Sequence, residues 1–223
     1  MTIRAEGISV SFRKKGRQSF TAVQPTDITI EGGRLTVMTG RSGSGKTTLI
    51  NVLSGLLPPG SGRVFYDEDD IYSLDDGRLS GFRSRHIGYI PQGQSAVSSL
   101  TVMQNLTLPI AAAGGKADDE RAKQLLEAAC LAGHENAYPD ELSGGELRRL
   151  AVIRALINSR EIIFADEPTN DLDDENTESI LKLLKEQTKK GAAAVIVTHE
   201  QSALKYADVT YRMDGGRLKG EGI

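Results

Sequence analysis

The 223-residue sequence has a single cysteine, almost no excess charge of either sign and no long hydrophobic run. Cys130 cannot form an internal disulfide and has no metal-ligand spacing to another Cys or His, so we expect it to pack inside a helix. A net charge of −3, from 27 basic and 30 acidic residues, gives no basic field and argues against nucleic acid as a partner. No run reaches the roughly 18 apolar residues of a membrane helix, and MTIRAEGISV does not resemble a signal peptide, so we expect a cytoplasmic protein.

Hydrophobic periodicity predicts strands at the start of the chain. Hydrophobic residues make up 39% of the chain and charged residues 26%, an ordinary globular composition that suits one large α/β domain, or at most two small ones. Alternating segments at 3–12 and 22–30 flank the basic stretch RKKGRQS, which predicts an antiparallel hairpin. A short apolar run at 35–39 then ends in a Gly-rich turn, and helix-spaced apolar residues follow at 47–57.

The second half of the chain predicts a parallel sheet. Short apolar runs at 162–165 and 192–197 are typical of buried strands, and a helical pattern at 177–189 lies between them. Strands that alternate with helices indicate parallel pairing through crossovers. Between about 93 and 159 helical patterns dominate, which predicts a helical insertion.

A phosphate-binding loop is the strongest chemical signal. GRSGSGKTT fits G-x-x-x-x-G-K-S/T and lies after a predicted strand and before a predicted helix. Its glycines let backbone N–H groups face the phosphates, Lys46 can reach the β and γ phosphates, and Thr47 can ligate Mg²⁺ while Thr48 donates to the α phosphate. A flexible Gly/Ser turn is the alternative interpretation. The predicted nucleotide-binding residues of this loop are Gly40, Arg41, Ser42, Gly43, Ser44, Gly45, Lys46, Thr47 and Thr48.

Two carboxylates follow the apolar run in IIFADEPTNDLD. Ligands of open α/β sheets bind at the carboxyl ends of the strands, where both side chains are expected. We predict that Asp166 binds Mg²⁺, directly or through water, and that Glu167 orients and deprotonates the attacking water. A solvated acidic turn is the alternative.

Two further segments carry candidate phosphate ligands. In LSGGE, Ser143 is expected to cap the helix that follows, and its hydroxyl with the neighbouring glycine N–H groups would form a second anion site, suited to a γ phosphate. A plain capping turn is the alternative. His199 follows the strand-like AAAVIVT and could hydrogen-bond a γ phosphate, although a lone histidine is often structural.

The order of GRSGSGKTT, IGYIPQ, LSGGE, ADEPTNDLD and VTHE resembles the ATP-binding-cassette (ABC) nucleotide-binding domains over nearly the whole chain. The resemblance implies that Gln92 senses Mg²⁺ and couples to the partner, that Asp173 lies at the dimer seam and that His199 holds the γ phosphate. It places Phe12 where the family stacks an aromatic ring on adenine, with an inward strand residue as the alternative. The residues implied to bind the opposite subunit's ATP are Ser143, Gly144, Gly145 and Glu146.

Within this family the chain most resembles the ATPases of lipoprotein release, macrolide export and antimicrobial-peptide export, a group that includes a cell-division member. The segments RSRHIGYIPQ, LTVMQNLTLPI and THEQSALKYADV, with Ala165 before DEPT, carry this resemblance. Several positions depart from the family pattern. Glu146 replaces Gln, 148–150 replace Gln-Arg-Val, Asn170 and Asp171 replace Gly-Asn, and GQSAVSS is unusually polar.

The resemblance implies a single P-loop NTPase domain over 1–223. A RecA-like parallel-sheet core would span 1–92 and 160–223, with an antiparallel β part at its start and a helical subdomain at 93–159. The implied activity is Mg²⁺-dependent hydrolysis of ATP in a homodimer that closes on ATP. The dimer would drive a separate integral membrane permease from the inner face of the membrane.

Two rival functions remain open at this level. An ABC ATPase can have a non-transport role, as in DNA repair, translation or cell division, but the coiled coils, zinc cysteines or second cassette usual in the repair and translation members are missing. A division or signalling role is compatible with the sequence. A nucleotide-gated binding module without turnover is the second rival, and Glu167 and His199 argue against it.

Overall fold

The structure is a computed structural model that describes residues 1–13 and 19–221. Most of the predicted hairpin loop RKKGRQS therefore lies outside the described residues. The strands and α-helices are, in chain order, β1 (Ile3–Phe12), β2 (Phe20–Ile30), β3 (Leu35–Thr39), α1 (Lys46–Leu53), β4 (Ser61–Tyr66), β5 (Asp69–Asp70), α2 (Asp76–His86), β6 (Ile87–Ile90), α3 (Val102–Ala112), α4 (Asp119–Ala128), α5 (Gly144–Leu156), β7 (Ile162–Asp166), α6 (Asp174–Lys189), β8 (Ala193–Thr198), β9 (Val209–Asp214) and β10 (Arg217–Glu221).

The first sheet is antiparallel, with strand order β2-β1-β4-β5. β1 pairs with β2 from Ile3 opposite Ile30 to Phe12 opposite Phe20. Alternate residues of β1, such as Ile3 and Ala5, are buried while their neighbours are exposed, as expected for a strand with one face on the core. The predicted antiparallel pairing at the start of the chain is confirmed.

The second sheet has the order β10-β9-β3-β8-β7-β6, with parallel pairing throughout except between β9 and β10. Its central strands are buried on both faces. In β7, Ile163 and Ala165 belong to a core shared with α3 to α6, whereas Ile162 and Phe164 belong to a core shared with α1 and the antiparallel sheet. Helix α1 is thus packed between the two sheets. The α/β fold predicted from the sequence is confirmed.

Two local predictions need correction. Helix α1 ends at Leu53 and not near residue 57, because Gly55 adopts a left-handed conformation with φ +74°. The N–H of Leu56 bonds to the carbonyl of Asn51, a helix-ending pattern that glycine permits. Cys130 does not pack inside a helix. It is exposed, with φ +52°, in the turn after α4.

The segment 93–159 contains the helices α3, α4 and α5, and no strand is assigned between β6 and β7 in this fully described stretch. Ser143 is the N-cap of α5, as predicted, with its side chain accepting from the N–H of Glu146. The division into a RecA-like core and a helical subdomain stays a prediction. None of the described helices is both long enough and apolar enough to cross a membrane.

Candidate active site

Four parallel strands bring the phosphate loop, Gln92, the two carboxylates and His199 to one edge of the second sheet. β3 leads into the loop 40–45, β6 ends two residues before Gln92, β7 ends at Asp166 and β8 ends just before His199. Because the carboxyl ends of parallel strands lie at the same edge of a sheet, these residues lie close together. The edge carries a glycine-rich loop, two carboxylates, an amide and an imidazole.

The loop after β3 is built to approach an anion with its backbone. Gly43 and Gly45 have φ values of +76° and +108°, and a Cβ on Gly45 would lie 2.2 Å from the carbonyl oxygen of Ala22. Helix α1 begins directly afterwards with no side-chain cap on its first N–H groups. The buried hydroxyl of Ser44 has no hydrogen-bond partner among the described residues. Uncapped helix N–H groups and an unpaired buried hydroxyl fit a phosphate chain.

Lys46 supplies a buried positive charge at this loop. Its ammonium donates to the carbonyl oxygens of Gly40 at 2.7 Å and Arg41 at 3.3 Å, and it lies 3.9 Å from Oε1 of Glu167. The side chain is 7% exposed and its charge is weakly screened there. The Lys46 ammonium is therefore positioned to attract the oxygens of a phosphate bound at this loop.

Asp166 and Thr47 bring two oxygen-bearing side chains together. Asp166 is 2% exposed, and the Thr47 side chain is close enough to lower the pKa of its carboxyl group through a hydrogen bond. Burial and the nearby Glu167 charge raise the pKa of Asp166, against the Thr47 hydrogen bond and the positive charges of Arg148 and Lys46. A buried carboxylate beside a hydroxyl suits Mg²⁺, which prefers oxygen and keeps most of its ligands as water or phosphate. Among the described residues, no group of three or more His, Cys, Asp or Glu side chains could by itself hold a metal ion.

Glu167 is held in an unusual backbone conformation. Its φ is +48°, in the left-handed region that residues with a Cβ rarely adopt, and its N–H donates to the Val197 carbonyl at 2.8 Å. Oε2 accepts from the hydroxyl of Thr198 at 3.0 Å, from the backbone N–H of His199 at 3.3 Å and from its ring Nδ1 at 3.0 Å. The carboxylate therefore has a fixed orientation, between Lys46 on one oxygen and His199 on the other.

An aromatic pair forms one wall of the cleft. Phe12 and Phe20 stand opposite each other at the end of the hairpin, with ring centroids 5.6 Å apart. They are 36% and 48% exposed, so Phe12 is not an inward core residue. Sequence reasoning missed Phe20. The signal that could have found it is the hairpin register, which sets Phe20 across from Phe12.

The structure brings most of the predicted residues into one cleft, lined by Phe12, Phe20, Ala22, Ser42, Gly43, Ser44, Gly45, Lys46, Thr47, Thr48, Gln92 and Glu167. A neighbouring depression is lined by Gly40, Arg41 and His199 together with residues of β9. The LSGGE residues Ser143, Gly144, Gly145 and Glu146 line neither. In a single chain, the two predicted anion sites are therefore separate.

The start of α5 forms a closed cap within the chain. Glu146 Oε2 accepts from the backbone N–H of Ser143 at 2.8 Å and from its hydroxyl at 2.7 Å. Glu146 Oε1 lies 3.7 Å from Nε2 of His134. The hydrogen bonds from Ser143 lower the pKa of Glu146, which keeps its charge at the helix N-terminus, where a negative charge is favourable.

Comparison with known proteins identifies the family to which this chain is similar. The ABC transporter family profile matches residues 23–170. The lipoprotein-releasing system ATP-binding protein LolD 1 of Chlorobium luteolum is 35% identical to this chain over 227 residues, covering 98% of this chain and 97% of that protein. The ABC transporter ATP-binding protein YtrE of Bacillus subtilis is 34% identical over 216 residues, covering 95% and 94%.

A solved structure shares the fold. The ATP-binding cassette MJ0796, in a dimeric post-hydrolysis state bound to ADP and Pi, superposes with a TM-score of 0.91 at 30% identity, over 99% of this chain and 100% of that chain. The P-loop NTPase fold predicted from the sequence is thereby confirmed. With a cleft that fits a phosphate chain, an aromatic wall beside it and a family profile that covers most of its length, this chain belongs to the ABC transporter family as an ATP-binding cassette.

Proposed function

We propose that this cassette hydrolyses Mg-ATP, with Glu167 activating the attacking water, and that hydrolysis drives a separate membrane permease. The observation that carries the proposal is the carboxylate of Glu167, which lines the phosphate cleft and is held by Thr198 and His199 on one oxygen. A general base must be oriented as well as basic, and these hydrogen bonds supply the orientation.

The remaining cleft residues hold and neutralise the phosphates. The loop N–H groups and the hydroxyl of Ser44 would bind phosphate oxygens, and Lys46 would exchange its loop carbonyls for the β and γ phosphates. Phe12 and Phe20 would stack on the base. His199, which is 58% exposed, can hydrogen-bond a γ phosphate as well as orient Glu167.

Thr47, Asp166 and Gln92 would hold Mg²⁺, because each offers an oxygen atom. Thr47 and Gln92 line the cleft, and Asp166 lies beside Thr47 at the end of β7. The ion supplies charge neutralisation of the phosphates when bound. Arg148 and Lys46 lie close enough to oppose the raised pKa of Asp166 and so favour its anionic form.

The signature residues would act on a partner's nucleotide. Because 143–146 lie outside the cleft of their own chain, they are available to a second copy that brings its phosphate loop to them. The dimeric state of the MJ0796 structure supports this arrangement. The names of the relatives as transporter ATP-binding proteins support a permease as the partner that receives the work, at the inner face of the membrane.

Replacing Glu167 with Gln tests the proposal. E167Q keeps the shape of the side chain but not its basicity, so we expect ATP binding to persist while turnover falls by about 10² to 10⁴-fold. The matched control is Glu161→Gln, which changes a carboxylate at the opposite end of the same strand, where it bonds His86 at 2.9 Å. Phosphate release and ATP affinity are measured for both. Near wild-type turnover in E167Q would show that the base lies elsewhere.

A further inference from the structure

The guanidinium of Arg148, on the signature helix α5, lies buried between two loops of the active site. The residue is 6% exposed and follows the N-cap Ser143 by five positions. It donates to backbone carbonyl oxygens only, and these come from the segment around Gln92 and from the segment that carries Glu167. Nη1 donates to Pro91 at 2.5 Å and to Gly93 at 3.2 Å. Nη2 donates to Asp166 at 2.5 Å and to Glu167, and Nε donates to Pro168 at 3.2 Å.

Every donor of this arginine is used. A guanidinium has five N–H groups in a rigid fork, and here each has one carbonyl partner. Burial lowers the pKa of Arg148, while the charges of Asp166, Glu167 and Asp171 oppose that change. A buried charge is tolerated only with such complete pairing. The fork is therefore a fixed connection between two loops and not an incidental contact.

The five carbonyls bracket two residues of the proposed chemistry. Pro91 and Gly93 are the neighbours of Gln92. The carbonyls of Asp166, Glu167 and Pro168 surround the backbone position where Glu167 has φ +48°. A left-handed conformation at a residue with a Cβ persists only where the surroundings hold it. Arg148 binds the carbonyls on both sides of that residue, so it is one of the groups that hold it.

We infer that Arg148 is a positioning residue that fixes the Glu167 carboxylate for hydrolysis and joins it to the Gln92 segment. The inference rests on the proposed function, in which Glu167 is the base. Where the family usually has Gln at this position, the side chain offers two N–H groups and could serve at most part of this set of carbonyls. The arginine thus gives this chain a connection from the signature helix to both loops.

The test uses the full-length chain and three variants. R148Q removes the fork, R148K keeps a charge without the fork, and R149Q is the matched control. Arg149 is the next residue of the same helix, is 9% exposed and donates to the carbonyl of Ala129, which belongs to neither loop. Turnover, ATP affinity and unfolding temperature are measured for each.

If Arg148 positions Glu167, its substitution should lower kcat much more than it changes ATP affinity. R148Q and R148K should each lower kcat by at least about tenfold, because misplacement of a catalytic group is costly, while ATP affinity changes by less than about threefold. R149Q should lose thermal stability with kcat within about twofold of wild type. Wild-type kcat in R148Q or in R148K would overturn the inference. The inference would also be overturned if R149Q lost as much stability as R148Q and its kcat fell by the same factor. If R148Q does not fold, R148K decides alone.

A double variant separates this inference from the proposed function. If Arg148 acts through Glu167, R148Q should cost little further turnover in the E167Q background, since the base it positions is already absent. A full multiplicative loss in E167Q/R148Q would mean that Arg148 acts through something else and would overturn the inference. Wild-type turnover in E167Q itself would instead remove the proposed base, whatever R148Q does.

Discussion

At the residue scale, we propose that the aromatic pair binds the base of the nucleotide. Phe12 and Phe20 line the cleft and are 36% and 48% exposed. Aromatic rings can bind a nucleobase through stacking, while the loop after β3 would bind the phosphates. The two contributions to ATP affinity would then come from different parts of the chain, and they can be measured separately.

We predict that Phe12→Ala and Phe20→Ala each weaken ATP binding, Phe12→Ala by about 1 to 3 kcal/mol, the range for base stacking. Neither change should alter the affinity for inorganic tripolyphosphate, which has no base. Phe65→Ala is the control, because Phe65 packs against the guanidinium of Arg4 on the antiparallel sheet. Calorimetric titrations with both ligands provide the measurement. Equal losses for ATP and tripolyphosphate would show that the rings shape the loop and do not bind the base.

Individual site residues were predictable to the extent that their neighbours in sequence mark them. Lys46, Thr47 and Glu167 lie in motifs that fix their chemistry, and each lines the cleft as expected. Phe20 has no motif, since its place depends on pairing with Phe12 across a loop. Arg148 is visible only as a departure from the family pattern. Its carbonyl partners are 18 to 57 residues away along the chain, so no local signal could predict them.

At the element scale, the N-terminus of α5 links stability to the charge of Glu146. The carboxylate closes the cap on Ser143 and lies 3.7 Å from His134. A glutamine keeps an acceptor oxygen in the same place, while an alanine removes it. Comparing the two substitutions therefore distinguishes the contribution of the capping hydrogen bonds to stability from that of the negative charge.

We predict that Glu146→Ala costs about 1 kcal/mol of unfolding free energy, the usual value of such a cap, and that Glu146→Gln costs less at neutral pH. Hydrogen bonds from Ser143 lower the pKa of Glu146, so the stabilisation is present above the ordinary value of 4.5 and is lost as pH falls through the lowered value. The stability difference between wild type and E146Q should narrow in acid. Urea unfolding over a pH series checks this, and a constant difference would contradict it.

Elements were predictable where they repeat a strong local pattern. β1 has an alternating pattern, β3, β7 and β8 are short apolar runs, and α5 has helical spacing after a capping serine; all five elements are present. β6 has four residues and β9 has the mixed sequence VTYRMD, so neither stands out from the chain around it. The order of strands in the second sheet depends on contacts between distant segments. The sequence analysis therefore predicted a parallel sheet but not the order of its strands.

At the scale of the whole molecule, the two predicted anion sites are the phosphate loop and the N-terminus of α5. The second site lies apart from the first. Ser143 and its neighbours line no part of the cleft that contains Lys46. If both act on ATP, two chains must meet head to tail, each closing the other's nucleotide site. Dimer formation would then depend on nucleotide, and blocked hydrolysis would keep the dimer closed.

We therefore predict that E167Q runs as a monomer without nucleotide and as a dimer with Mg-ATP on size exclusion. Adding Ser143→Arg should block closure sterically while each monomer still binds ATP through its own loop, so the double variant should stay monomeric and bind nucleotide. Ser80→Arg in the same background is the control, since Ser80 is an exposed residue of α2, away from the cleft, and should leave the dimer intact. Loss of ATP binding in the Ser143 variant would mean that this serine serves its own chain's nucleotide. Continued dimerisation would mean that the start of α5 is not part of the interface, and the head-to-tail arrangement would have to be abandoned.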